Sequence, residues 1–151
     1  MKPSPSNWTR ISSALYYQDA ARAIDWLCTA FGFEVRLKIE GEGGLIEHSE
    51  LMFGDGLIMV GDERSGARKG ATYRTSPQSI GGKNTQNMMV YVDDAAAHCE
   101  SARKAGAKIT DEPKEHDYGE DYWLDRGYEC EDLEGHRWWF FERLRDAKAA
   151  K

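Results

Sequence analysis

Two of the commonest anchors of small proteins are scarce in this chain. It has three cysteines, Cys28, Cys99 and Cys130, odd in number and widely spaced, with no Cys-x-x-Cys pair. That pattern argues for reduced thiols in a cytosolic protein and against a disulfide framework or a structural zinc site. No window approaches the ~18–20 unbroken apolar residues of a membrane span, so no membrane partner is expected. The opening "MKPSPSNWTR" has no apolar run, so a secretory signal is not expected and a cytoplasmic location is. There is no P-loop, no Gly-x-Gly-x-x-Gly and no Ser/His/Asp signature. "GEGG" (41–44) precedes a strand pattern rather than a helix, which excludes a phosphate cradle. A net charge of −6 and a pI near 5.3 disfavour a nucleic-acid partner and otherwise serve solubility.

What is present is a repeat. The stretch "YYQDAARAIDWLCTAF" (16–31) aligns with "YVDDAAAHCESARKAG" (91–106) at a shift of 75, pairing Tyr16 with Tyr91, Asp19 with Asp94 and Ala20 with Ala95. Each copy reads as a short apolar strand, a capping Asp and a helix. An Asp at the N-cap accepts from free N–H groups of the first turn and opposes the helix dipole. Ala20, Ala23, Ile24, Leu27, Ala30 and Phe31 fall on one helical face. Strand patterns follow at 33–40, 45–53 and 57–60, and again at 108–110, near 127–131 and at 137–141, separated by turns such as "GDG" and "DLEG". Each half is therefore β-α-β-β-β. The 151 residues suffice for a single domain with a sizeable core. Its modules span about 10–62 and 86–143, joined by a long loop at 63–85. Residues 64–86 carry five basic residues and no acidic ones, and could act as a lid. Residues 111–125 carry seven acidic residues and one lysine.

Those paired modules, with "AIDWLCTAFGFEV", "HSELMFGDGLIMVGDE", "VYVDDAAAHCESARKAGAKI" and a closing "DLEGHRWWF", resemble the vicinal oxygen chelate superfamily. This is the group of glyoxalase I, bleomycin-resistance proteins and extradiol dioxygenases, and the closest likeness is to its uncharacterised glyoxalase-like branch. The resemblance covers roughly residues 10–143. It implies an α+β fold in which the two βαβββ modules form a curved, cup-shaped mixed sheet with helices outside. It also implies a homodimer and a ligand held inside the cup. The family's enzymes hold a divalent metal at four places, which carry over to Ser12, Met59, Asn87 and Trp139. None is a good ligand for a hard divalent cation. No metal and no cofactor is therefore expected there.

Strand alternation then assigns an inward set. Trp139 brings Phe141, Met59 brings Leu57, Ser12 brings Ala14 and Tyr16, and Asn87 brings Met89 and Tyr91. Trp138 should face the helices. Such a wall suits a planar, partly apolar molecule, unless these side chains simply fill the core. In "EHSEL" (47–51), His48 and Glu50 project from one face with Ile46 and Met52, while Ser49, Leu51 and Phe53 pack towards the helices. His48 and Glu50 are the candidate catalytic pair, as base and orienter. His98 reads as exposed, and His116 as part of the acidic loop. "EDYWL" (120–124) reads as an insert whose Tyr122 and Trp123, beside carboxylates, would suit a cationic planar ligand. Three functions stay open: a metal-free binder of a small, partly aromatic molecule, a lyase or isomerase on a small carbonyl compound, and a structural dimer.

Overall fold

A computed structural model describes residues 1–65 and 73–148. The part of the expected lid at 66–72 lies outside the described residues. The elements run β1 (Ser13–Tyr17), α1 (Ala20–Phe31), β2 (Glu34–Glu40), β3 (Ile46–Phe53), β4 (Gly56–Asp62), β5 (Asn87–Tyr91), α2 (Ala95–Lys104), β6 (Lys108–Asp117), β7 (Leu124–Glu131) and β8 (Arg137–Arg145). The fold is α+β and consists of two βαβββ modules. Two four-stranded mixed sheets form, in the orders β1-β4-β3-β2 and β5-β8-β7-β6. The chain divides into two compact units, Met1–Gly82 and Lys83–Lys151, each with one sheet and one α-helix among the described residues. Among the described residues, no helix is long and apolar enough to cross a membrane.

The sequence repeat is a structural one. In each unit the first strand pairs parallel with the last, Ala14 opposite Met59 and Met89 opposite Trp139. A parallel pair needs a crossover, and the helix supplies it. Asp19 caps α1 by accepting from the Arg22 N–H at 3.0 Å, and Asp94 caps α2 by accepting from the Ala97 N–H at 2.9 Å. At the far end of α1, Gly32 takes φ +85°, the left-handed conformation that closes a helix. The apolar face of α1 is buried as the spacing requires, each of Ile24, Leu27 and Phe31 adding roughly 1.5–3 kcal/mol by leaving water. In β8, Trp138 and Phe140 are fully buried. The Trp138 indole N–H donates to Asp132 at 3.0 Å, so the core aromatic leaves no polar atom unmet.

Several elements depart from the periodicity. Strand β6 runs to Asp117 rather than ending near Thr110. Pro113 would normally stop it, but β6 is an edge strand and Pro113 sits where two residues oppose one, between the Asp111–Glu129 and Lys114–Gly127 pairs. A bulge on an edge strand tolerates the missing N–H. His116 is accordingly part of a strand opposite Asp125, not of a loop. In β3, Ile46 does not share a face with His48. The register slips between Ile39–His48 and Glu40–Ile46, and Ile46 is fully buried while His48 is half-exposed. The Ile46 N–H donates to the buried Asp62 carboxylate at 2.6 Å, which pins the bulge. His98 is not free on the surface either. It hydrogen-bonds the Tyr128 hydroxyl at 2.7 Å and packs against Phe140 at 4.4 Å.

Candidate functional site

In the second unit, alternation on β8 turns Trp139 and Phe141 away from the buried Trp138 and Phe140. Met89 and Tyr91, on the neighbouring β5, lie beside them by the parallel register and are 45% and 44% exposed. Together with Tyr118, Trp123, Asp125 and Arg143 these four line a cleft of about 430 Å³. That volume lies within the 300–1,000 Å³ usual for small-molecule sites. Phe141 can lie flat only because its partner on β7 is Gly127. A Cβ there would stand 2.4 Å from two atoms of the Phe141 ring. The His116 ring meets the Phe141 ring edge-on at 5.6 Å.

The far wall is the end of the β6–β7 hairpin. The Tyr118 N–H donates to the Trp123 carbonyl at 3.2 Å, the Tyr122 N–H to the Gly119 carbonyl at 3.0 Å, and the Tyr118 and Trp123 rings lie 5.4 Å apart. Charges on the last strand and just beyond it hold this turn. Arg145 donates to Asp117 at 2.7 Å and to the Gly119 carbonyl at 3.0 Å, and Lys148 pairs with Asp121 at 3.1 Å. Gly119 N–H and Arg145 together hold the Asp117 carboxyl below the usual carboxylate range. At the base of the cleft, Arg143 donates to Asp125 at 2.5 Å, hydrogen-bonds the Tyr91 hydroxyl, and lies over the rings of Tyr91 and Trp123 at 5.1 and 5.7 Å. Burial raises the Tyr91 pKa although its bond from Arg143 pulls the other way.

The first unit holds different chemistry. Glu50 is nearly buried and is gripped from two sides. Arg36 donates to its Oε2 at 2.6 and 2.7 Å, and His48 Nε2 lies 3.0 Å from its Oε1. The bond to His48, with help from Arg36, lowers the Glu50 pKa. A carboxylate so occupied orients its neighbours and is a poor proton acceptor. His48 lines a recess of about 210 Å³ with Tyr16, Met59 and Arg74, and the Arg74 guanidinium lies 4.9 Å over the Tyr16 ring. Met52 lies apart, in another recess with Trp8 and Arg36.

The predicted ligand residues thus fall into three groups. Met89, Tyr91, Trp139 and Phe141 meet in one cleft. Tyr16 and Met59 share the His48 recess, and Met52 joins neither. Ser12 precedes β1 and bonds Thr9 at 2.7 Å, while Asn87 is exposed at the start of β5. Arg143, Asp125 and Tyr118 were not foreseen. The basic run near the C-terminus was the signal that could have found the first.

The Glyoxalase/Bleomycin resistance protein/Dioxygenase superfamily profile matches residues 10–140. The chain belongs to this superfamily. TioX from Micromonospora sp. ML1 is 30% identical, with a TM-score of 0.68, covering 91% of this chain and 100% of TioX. Virulence protein STM3117 from Salmonella typhimurium is 15% identical, with a TM-score of 0.64, covering 91% of this chain and 98% of its own. A superfamily member from Alicyclobacillus acidocaldarius is 10% identical, with a TM-score of 0.59 over 93% and 95% of the two chains. No curated protein matches the chain by sequence.

The superfamily's enzymes raise the question of a divalent metal, and the residues at the corresponding places do not fit one. Ser12 is committed to Thr9, Met59 offers a thioether, Asn87 an amide, and the Trp139 indole has no free lone pair. Among the described residues, no group of three or more His, Cys, Asp or Glu is placed to hold a metal.

Proposed function

We propose that this superfamily member binds a small, partly aromatic molecule in the cleft of the second unit, without a metal. One observation carries the reading. Five aromatic side chains and Met89 face a single cleft of about 430 Å³, with one arginine and one aspartate at its base. Flat apolar walls with a few convergent polar groups are the usual composition of a small-molecule site. The test is a titration with 8-anilinonaphthalene-1-sulfonate as the probe. A central aromatic anchor contributes ~2 kcal/mol or more, so Trp139→Ala should weaken binding more than tenfold. Unchanged affinity would sink the proposal.

A second reading, a lyase or isomerase acting on a small carbonyl compound, rests on the His48–Glu50 contact at 3.0 Å. Glu50, fixed by Arg36, would orient the imidazole, and His48 would act as the base. The same titration separates the readings. Under the first, His48→Ala leaves probe binding intact. Homodimerisation and a cytoplasmic location belong with the proposal as expectations drawn from the family and the reduced cysteines.

A further inference from the structure

The acidic run beside Trp123 points, in the sequence, to a cationic ligand. The structure reverses that charge argument. Asp117 is paired with Arg145, Asp121 with Lys148, and Asp125 with Arg143. Asp125 is the one carboxylate lining the cleft, and its side chain is only 5% exposed, whereas that of Arg143 is 34% exposed. Both Asp125 oxygens are occupied, Oδ1 by Arg143 and Oδ2 by the Tyr91 hydroxyl at 3.2 Å. Within the cleft an approaching molecule therefore meets the guanidinium, with the Asp125 carboxylate hidden behind it; Asp146, which is not among the lining residues, pairs with Arg143 Nη1 at 3.1 Å. The other polar groups at the walls are the indole N–H groups of Trp139 and Trp123 and the Tyr118 hydroxyl. No hydrogen bond is made by these three side-chain groups among the described residues. An indole N–H can only donate, and so can a guanidinium.

Resting on the cleft as the binding site, we infer that its ligand is a planar aromatic molecule whose polar edge accepts hydrogen bonds and bears no positive charge, with the anionic form favoured. The rings of Trp139 and Phe141 take its face, and Arg143 takes the acceptor edge. A cation at that edge would face Arg143, and both oxygens of the one lining carboxylate, Asp125, are already taken. A carboxylate would gain charge-assisted bonds from a guanidinium already held in place by Asp125 and by the faces of Tyr91 and Trp123.

Three probes of one shape test this by calorimetric titration of the full chain: 2-naphthoate, naphthalene and 2-naphthylmethylammonium. The carboxylate is expected to bind at least tenfold more tightly than the ammonium, with naphthalene between them. Raising salt should shrink that ratio. In the double variant R143Q/D125N, which removes both charges lining the cleft and leaves only the solvent-exposed Asp146 without its partner, the ratio should fall to within about threefold of unity. Equal or tighter binding of the ammonium by the unmodified protein overturns the ligand class and leaves the cleft standing. So does a ratio unchanged in the double variant. If none of the three probes binds, the cleft itself is refuted and this inference with it. The unmodified protein alone gives the first comparison, so the inference does not depend on the variant folding.

Discussion

The two sheets descend from one pattern and use their open faces differently. Tyr16 and Tyr91 occupy equivalent places and each carries an arginine over its ring, at 4.9 and 5.1 Å. In the first unit that arginine is Arg74, which comes from the segment after β4. In the second it is Arg143, from the last strand itself. Asp62 and Glu142 are likewise equivalent. Each accepts from the first N–H of its helix, Ala20 at 3.3 Å and Ala95 at 3.1 Å. Where the first unit has Met59 and Gly61, the second has Trp139 and Phe141. The first unit sets the polar Arg36–Glu50–His48 chain between its recesses, and the second has a cleft between aromatic planes. The shared helix caps and parallel pairs carry the fold. The residues that differ carry the chemistry.

The largest break in the comparison should come from the buried side of β8. Trp138→Ala should lower stability by ~3–5 kcal/mol, the usual cost of truncating a core aromatic, in a urea melt. The adjacent Trp139→Ala should lose far less stability while losing the probe. Equal losses in both would mean that the second sheet has no functional face distinct from its core. Gly127→Ala should cost about 1–3 kcal/mol by overpacking, because the new methyl meets the Phe141 ring. Adding Phe141→Ala should return part of that loss. Strict additivity of the two changes would show that the ring had moved aside without strain.

The smallest effect sharpens the contrast from the first unit. The Glu50 pKa is lowered in the folded protein. Its contribution to stability is therefore complete above the ordinary carboxyl pKa and disappears as the pH falls through the lower folded-state value. Glu50→Gln should be less stable than the parent at pH 7, and the gap should narrow near pH 3. A gap independent of pH would leave Glu50 with a packing role and no electrostatic one.

Much of the fold was legible because its signals are local. The capping aspartates, the apolar stripe of α1 and the opposite facing of Trp138 and Trp139 each follow from a spacing of one to four residues. The cleft walls at Met89, Tyr91, Trp139 and Phe141 follow from the same alternation. What escaped depends on register. Ile46 changed sides because a bulge broke the period of two, and β6 continued past Pro113 because another bulge absorbed it. The pairing of Asp125 with Arg143 follows from the β7–β8 register, which runs unbroken from Glu131–Arg137 to Asp125–Arg143 and which no local spacing in the sequence specifies. Composition placed carboxylates beside Trp123, but only the three-dimensional structure shows Asp117, Asp121 and Asp125 paired with Arg145, Lys148 and Arg143. The charge expected of the ligand changed with it.

The β6–β7 hairpin has a consequence for how readily such a cleft can arise. Val35 faces Leu51 across 16 residues of chain in the first unit, and the equivalent Ile109 and Cys130 lie 21 apart. The second hairpin is five residues longer, and its end supplies Tyr118 and Trp123. Chain-closure entropy grows only with the logarithm of loop length, so lengthening from 16 to 21 residues costs roughly 0.2 kcal/mol. Each surface ion pair tying the turn down is worth about 0–1 kcal/mol, enough to offset that. A repeated half-fold can therefore carry an extra wall at one hairpin tip with almost no thermodynamic resistance, while its twin has the shorter turn.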